Sequence, residues 1–137
     1  MTLWIPIGIQ NEVIQHAWEA RPEECCGLIA GEKGTGLPGR LIKMRNCATE
    51  GERDRWFSFD PDEQVQAYNE MDRRNEDPVA VYHSHVVSPA YPSSTDIQCA
   101  VDPRMHYLIV SLRGPGVEFR SFRIVDGEVL EEHIGIL

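Results

Sequence analysis

This sequence of 137 residues lacks three features that mark membrane, secreted and nucleic-acid-binding proteins. No apolar run approaches the ~20 residues that cross a bilayer, and the first residues lack the basic and long apolar segments of a secretory signal. Positive charge is scarce, because 13 Lys and Arg against 22 Asp and Glu give a net charge of -9. We therefore expect a cytoplasmic protein that binds neither membranes nor the phosphates of nucleic acid.

The cysteines form no Cys-x-x-Cys pair, which argues against a structural zinc or redox motif. In a reducing compartment we expect all four to be reduced, small buried residues: Cys25, Cys26, Cys47 and Cys99. A nucleobase deaminase would pair Pro-Cys-x-x-Cys with His-x-Glu, whereas this chain carries His-x-His. Three other histidines have no evident partner and are expected at surface or packing positions: His16, His106 and His133.

The length suits one domain over residues 1–137, and 42% hydrophobic with 26% charged residues is typical of a globular protein. Hydrophobic periodicity predicts strands over residues 3–9, 26–31, 40–47, 56–59, 79–85, 106–112, 116–124 and 127–133. It predicts helices over residues 11–20, 60–74 and 94–100. We expect an α/β (α+β) fold, a single domain with a curved mixed β-sheet flanked by helices.

Local signals refine two of these elements. The second helix has an N-cap at Asp60 and Glu63 at the capping-box position, with Val65, Tyr68 and Met71 facing inward. The last two strands are joined at an Asp-Gly dipeptide, residues 126–127, which is typical of a two-residue hairpin turn.

The side chains with the clearest chemistry follow an apolar strand pattern over residues 79–82. Successive side chains of a strand point to opposite faces, so His83 and His85 share one face and can converge on one ion. A seven-residue loop leads to Ser93, and Asp96 lies in the first turn of the next helix. Two imidazoles, one carboxylate and an open fourth position are typical of a catalytic zinc site.

The order His-x-His, seven residues, Ser, two residues, Asp resembles the signature of the JAMM (MPN+) metalloproteases. It fits His83, His85, Ser93 and Asp96 without a gap. The family also has a glutamate in a Glu-x-x-Gly context, which Glu24 and the following Cys-Cys-Gly supply. The resemblance spans nearly the whole chain and implies the JAMM/MPN (cytidine-deaminase-like) architecture.

The resemblance also implies a role for each of these residues. His83, His85 and Asp96 would bind Zn²⁺, and Glu24 would be the general base that passes a proton from water to the leaving amine. Ser93 would donate a hydrogen bond to the oxyanion. Three alternatives remain: Glu23 as the base, Cys99 as a ligand, and a capping box formed by Ser93 and Asp96 in place of a metal-binding role for Asp96.

The segment Tyr-Pro-Ser-Ser-Thr-Asp over residues 91–96 is most similar to the small prokaryotic branch of the family, which processes ubiquitin-fold sulfur-carrier proteins. This implies a zinc-dependent peptidase acting on the C-terminal tail of such a carrier. Two other functions remain open: an isopeptidase that removes ubiquitin-like modifiers from lysines, and a non-catalytic scaffold of the same fold. The oligomeric state is also open, a homodimer included.

Overall fold

The computed structural model describes all of residues 1–137 as three helices and seven strands. The strands are β1 (Thr2–Ile5), β2 (Cys26–Glu32), β3 (Arg40–Met44), β4 (Glu76–His85), β5 (His106–Ser111), β6 (Glu118–Val125) and β7 (Glu128–Ile136). The helices are α1 (Ile7–Ala20), α2 (Pro61–Arg73) and α3 (Ser94–Cys99). None of the three has the length and apolar character needed to cross a bilayer.

All seven strands form one mixed sheet in the order β1-β7-β6-β5-β4-β2-β3. The pairs β1–β7 and β4–β5 are parallel, and the other four neighbouring pairs are antiparallel. The expected single α/β (α+β) domain, with a curved mixed sheet flanked by helices, is confirmed.

The central strands are buried on both faces, and alternation along them separates two cores. Ala80 and Tyr82 of β4 pack in the core that α1 covers. Val81 packs against the smaller core beneath α2. By the same alternation His83 and His85 lie on the α2 face, so the two imidazoles and α2 share one side of the sheet.

The first helix begins four residues earlier than predicted. Alternating apolar residues from Leu3 to Ile9 resemble one strand, but β1 ends at Ile5 and Pro6 occupies the N-cap position of a helix that starts at Ile7. Ile9 then contributes to the buried helix face with Val13 and Ala17. Trp18, near the end of α1, is 47% exposed.

The predicted strand over residues 56–59 is absent, because this segment pairs through a single bridge between Asn46 and Phe59. Asp60 does cap α2, accepting the N–H of Asp62. Glu63 does not complete a capping box; its carboxylate accepts the backbone N–H of Arg45 and ties α2 to the end of β3.

Two further predictions, on the buried face of α2 and on the β6–β7 hairpin, differ in outcome. Val65 was predicted to face inward but is 59% exposed, since Ala67 and Met71 occupy the buried face of α2. The hairpin between β6 and β7 is confirmed: Val125 pairs with Glu128, and both Asp126 and Gly127 have positive φ, as a type I′ turn requires.

Candidate metal centre

Three side chains converge at the carboxyl end of β4. His83 Nε2 lies 3.1 Å from His85 Nε2 and 3.2 Å from Asp96 Oδ2. His85 Nε2 lies 3.4 Å from the same carboxylate oxygen. Ligand atoms ~2.0–2.1 Å from one tetrahedral zinc ion are about 3.3 Å apart. The three side chains predicted from the motif are therefore brought together at the spacing that such an ion needs.

Glu24 lies two residues before the start of β2 and is only 4% exposed. Its carboxylate and the ring nitrogens of His83 and His85 lie within 4.8 Å of one another. The sheet register explains this contact: β2 runs antiparallel to β4, and Cys26 pairs with His83. Residues 24 and 26 point to the same face, so the carboxylate projects over the histidines.

The backbone around Glu24 is held on both sides. Its N–H donates to the carbonyl of Arg53 at 2.6 Å, and its carbonyl accepts from Asn46 Nδ2 at 3.0 Å. The next residue, Cys25, makes two hydrogen bonds with Ser84: the Cys25 N–H donates to Ser84 Oγ, and the Cys25 carbonyl accepts the Ser84 N–H. Ser84, between the two histidines, thus points to the opposite face and links β4 to the segment that carries Glu24.

Asn46 was not predicted from the sequence. Its Nδ2 donates to the carbonyls of Glu24 and Trp56, and its Oδ1 accepts the N–H groups of Ala48 and Ser58. A single asparagine near the end of the strand predicted over residues 40–47 carries no pattern that signals such a role.

The charged groups of the site shift one another's pKa values. Burial raises the pKa of Glu24 to about 8, with the charge of His85 opposing and that of Asp96 adding to the shift. Burial would also raise the pKa of Asp96, but the imidazoles and the Ser93 N–H outweigh it and hold that pKa well below its usual range. Asp96 is therefore ionised at neutral pH.

The two imidazoles differ in their surroundings. Burial lowers the pKa of His83, whose ring stacks on Phe57 with centroids 4.5 Å apart. Burial opposes protonation of His85 too, but hydrogen bonds to Asp96 and the Pro89 carbonyl outweigh it and raise its pKa. His85 Nδ1 lies 2.6 Å from that carbonyl, which fixes the proton there and leaves Nε2 free to bind a metal.

Ser93 and Asp96 also form the capping box that the sequence offered as an alternative to a metal site. Asp96 Oδ2 accepts the Ser93 N–H at 2.8 Å, and Ser93 Oγ accepts the Asp96 N–H at 3.1 Å. The same Oδ2 faces both histidines. The two roles are thus compatible, since an oxygen that accepts one N–H retains a lone pair for a cation.

The presence of glycine at the end of the Glu-x-x-Gly segment has a steric explanation. Gly27 pairs with Tyr82 across the β2–β4 ladder, and a Cβ at Gly27 would lie 2.4 Å from the tyrosine ring. The Tyr82 hydroxyl reaches His16 Nδ1 at 2.8 Å, which fixes the ring against β2. His16 is therefore a hydrogen-bonded packing residue of α1, although no partner was evident from the sequence.

The alternative site residues lie elsewhere. Glu23 is exposed and 3.8 Å from Arg53, outside the cluster. Cys99 is exposed, contrary to its predicted burial, and lies beside the cavity next to Asp96. Cys25 and Cys26 are buried free thiols, and burial raises the pKa of Cys25 to about 11, which keeps it protonated.

A second polar cluster was also missed from the sequence. Glu132 of β7 is buried, and its Oε1 accepts hydrogen bonds from His106 of β5 and Ser121 of β6. The available signal was alternation along β7, which places Glu132 on the same face as Ile134, a residue packed against the core.

Comparison with known proteins gives close relatives over most of the chain. The family described as prokaryotic homologs of the JAB domain matches residues 6–125. A CysO-cysteine peptidase of Mycobacterium tuberculosis is 40% identical over 137 residues, covering 98% of this chain and 91% of the relative. A desampylase of Haloferax volcanii is 30% identical, covering 84% of this chain and 89% of the relative.

Solved structures agree on the fold. The solution structure of a protein from Desulfitobacterium hafniense has a TM-score of 0.83 and 31% identity, covering 100% of this chain and 93% of that one. A structure described as JAMM, a metalloprotease-like zinc site in the proteasome and signalosome, has a TM-score of 0.59 and 18% identity over 98% of each chain. At that identity the second likeness shows the fold alone.

Proposed function

The chain belongs to the family of prokaryotic JAB-domain proteins, and from that premise we propose a zinc-dependent peptidase that cleaves at the C-terminal tail of a small ubiquitin-fold sulfur-carrier protein. Hydrolysis of peptide bonds is the activity of its named relatives, a CysO-cysteine peptidase among them. The observation that carries the proposal is the meeting of Glu24 with His83, His85 and Asp96 at one end of the sheet.

The donor set fits zinc. Two imidazole nitrogens and one carboxylate oxygen, with room for a fourth ligand, are typical of catalytic zinc, and the Pro89 carbonyl orients one imidazole from behind. Zinc held by His83, His85 and Asp96 would supply Lewis-acid chemistry, lowering the pKa of water to about 7.

Glu24 is the proposed proton carrier. Its carboxylate accepts a proton as water attacks the carbonyl carbon and delivers it to the leaving amine nitrogen. Burial supports this role, because it raises the pKa of Glu24 toward neutral pH, where a group can both accept and return a proton.

Ser93 is the proposed oxyanion donor. Its Oγ accepts the Asp96 N–H, so its hydroxyl hydrogen is free to point to an oxygen in the site. Removing one such donor from a hydrolase costs about 2.7–4 kcal/mol of transition-state stabilisation.

Mass spectrometry of carrier proteins tests the proposal directly. Ubiquitin-fold carriers with residues beyond a Gly-Gly sequence would be incubated with the zinc-loaded enzyme, with and without a chelator. We expect loss of the residues after Gly-Gly, abolished by the chelator. Cleavage that survives chelation, or that persists in Glu24→Gln at the wild-type rate, would contradict the proposed chemistry.

A second candidate substrate is a lysine-linked conjugate of a ubiquitin-like modifier. The relative named desampylase favours it. The two candidates separate when a lysine-linked conjugate and a linear carrier fusion are compared at equal concentration: the proposed function requires the larger kcat/KM for the linear fusion.

The alternative of a non-catalytic scaffold is tested by metal analysis of the purified protein, since a scaffold carries no stoichiometric zinc.

A further inference from the structure

A cavity of about 450 Å³ opens beside the metal centre. His83 and Asp96 line one end of it. Its walls come from residues 56–59, from α2 and from the loop that follows α3. The size is that of a site for a small ligand or a large side chain. It is continuous with the metal centre, so a molecule cleaved there would have a part within reach of the cavity.

The cavity walls are chiefly apolar and aromatic. Phe57, Tyr68, Met105 and Tyr107 contribute side chains. Besides His83 and Asp96, the polar residues of the lining are Ser58, Gln64 and Asp102. An apolar cavity next to a polar site favours a chain that is polar at the scissile bond and apolar a few atoms away.

The position of Glu24 indicates which side of the scissile bond the cavity serves. Glu24 gives its proton to the leaving amine, so the leaving residue must begin beside it. One amide, that of Asn46, bonds the Glu24 carbonyl and the carbonyl of Trp56 at 3.0 Å each, and Trp56 and Phe57 form the adjoining cavity wall. Ser93 lies on a different segment, at the start of α3, and does not itself line the cavity. The wall formed by Trp56 and Phe57 is thus tied to the segment that carries the base, while Asp96 and Cys99 of α3 line another part of the cavity.

We propose that this cavity binds the side chain of the leaving residue, the residue whose amine is released, and that it selects a large apolar side chain there. The inference rests on the proposed peptidase function. Hydrolysis adds OH to the carbonyl carbon of the carrier tail and H to the amine of the leaving residue. That residue then departs with its side chain in the cavity.

The first test is a panel of carriers that end in Gly-Gly followed by one further residue: glycine, cysteine, leucine or phenylalanine. Each methylene buried in an apolar site changes kcat/KM by roughly 10-fold or more. We expect the leucine and phenylalanine substrates to exceed the glycine substrate by at least that factor, with cysteine between them. Equal kcat/KM across the panel would overturn the inference.

Val101 provides the matching variant. It lines the mouth of the cavity and is 87% exposed, so a larger residue there does not disturb the core. In Val101→Trp the ratio of kcat/KM for phenylalanine over glycine should fall by about 10-fold. Val125→Trp, at an exposed position beside the β6–β7 hairpin, is the matched control and should keep the wild-type ratio. An unchanged ratio in Val101→Trp would contradict the assignment.

A binding measurement separates failure of this inference from failure of the proposed function. Zinc-loaded Glu24→Gln would be titrated with leucinamide and with glycinamide while the Trp56 indole resonance is followed by NMR. We expect leucinamide to shift that resonance, Val101→Trp to weaken the shift, and glycinamide to have little effect. If no panel substrate is cleaved, the peptidase proposal fails, and the titration alone then tests whether the cavity binds a large apolar side chain. The absence of a shift with leucinamide would overturn this inference.

Discussion

Asn46 Nδ2 donates a hydrogen bond to the backbone carbonyl of Glu24 at 3.0 Å, and the same amide bonds Trp56, Ala48 and Ser58. Every donor and acceptor of the side chain is used. The amide therefore fixes the segment that carries the proposed base and the wall of the cavity relative to each other.

Replacing Asn46 by Asp tests this arrangement. The substitution keeps the shape and the acceptor oxygen but removes both N–H donors, leaving two partly buried carbonyls unpaired at a cost of about 1–3 kcal/mol. We expect lower thermal stability and a lower kcat, with zinc still bound. Asn46→Ala should lose the acceptor bonds as well and be less stable. Wild-type kcat in both variants would contradict a positioning role.

Glu24→Gln tests the proposed base. The amide is nearly isosteric but accepts no proton, so turnover should fall by about 10²–10⁴-fold. The zinc content should be unchanged, because Glu24 is not one of the three proposed ligands. The measurements are steady-state kinetics on a carrier fusion and metal analysis of the same sample. Glu23→Gln, at the exposed neighbouring position, is the control and should retain activity.

His83→Ala tests the ligand assignment independently of activity. A zinc site with two remaining protein ligands should hold less than stoichiometric metal after dialysis, as measured by elemental analysis. His133→Ala removes an exposed histidine of β7 and should leave the zinc content at the wild-type value. Equal zinc in the two variants would disprove the assignment.

Gly27→Ala tests the steric reason for the glycine. A methyl group 2.4 Å from the Tyr82 ring forces a shift in a packed core, which costs about 1–3 kcal/mol. Thermal denaturation should show this loss. In a Tyr82→Leu background the same change should cost less, because the ring is gone, so the double-mutant cycle should give a coupling energy. A coupling of zero would mean that the ring does not set the requirement.

The proposed ligands could be predicted because they depend on local geometry. His83 and His85 share a face by strand alternation alone, and Asp96 follows at a fixed spacing within one short helix. The contact with Glu24 depends on the antiparallel β2–β4 register, which no local pattern encodes. It was predicted through family resemblance.

The errors arise where a local pattern is ambiguous or a partner is distant in sequence. Alternating apolar residues before Val13 suit both a strand and the buried face of α1. The aromatic segment over residues 56–59 has a strand composition, yet its backbone is bound by Asn46 and pairs at one bridge only. The partner of His106 is 26 residues away, on a strand two places along the sheet.

Glu132→Gln gives a stability difference that depends on pH. The carboxylate is buried, and burial alone would raise its pKa, but hydrogen bonds from His106 and Ser121 outweigh burial and lower it. A group whose pKa is lower in the folded state stabilises the fold above its unfolded pKa, about 4.3 for glutamate. That contribution is lost as the pH falls through the pKa of the folded state.

Gln cannot ionise, so the Glu132→Gln variant should be less stable by about 1–3 kcal/mol at pH 7. Urea titrations at several pH values should show the difference shrinking below pH ~4. A difference that stays constant from pH 7 to pH 3 would mean that the charge of Glu132 does not stabilise the fold.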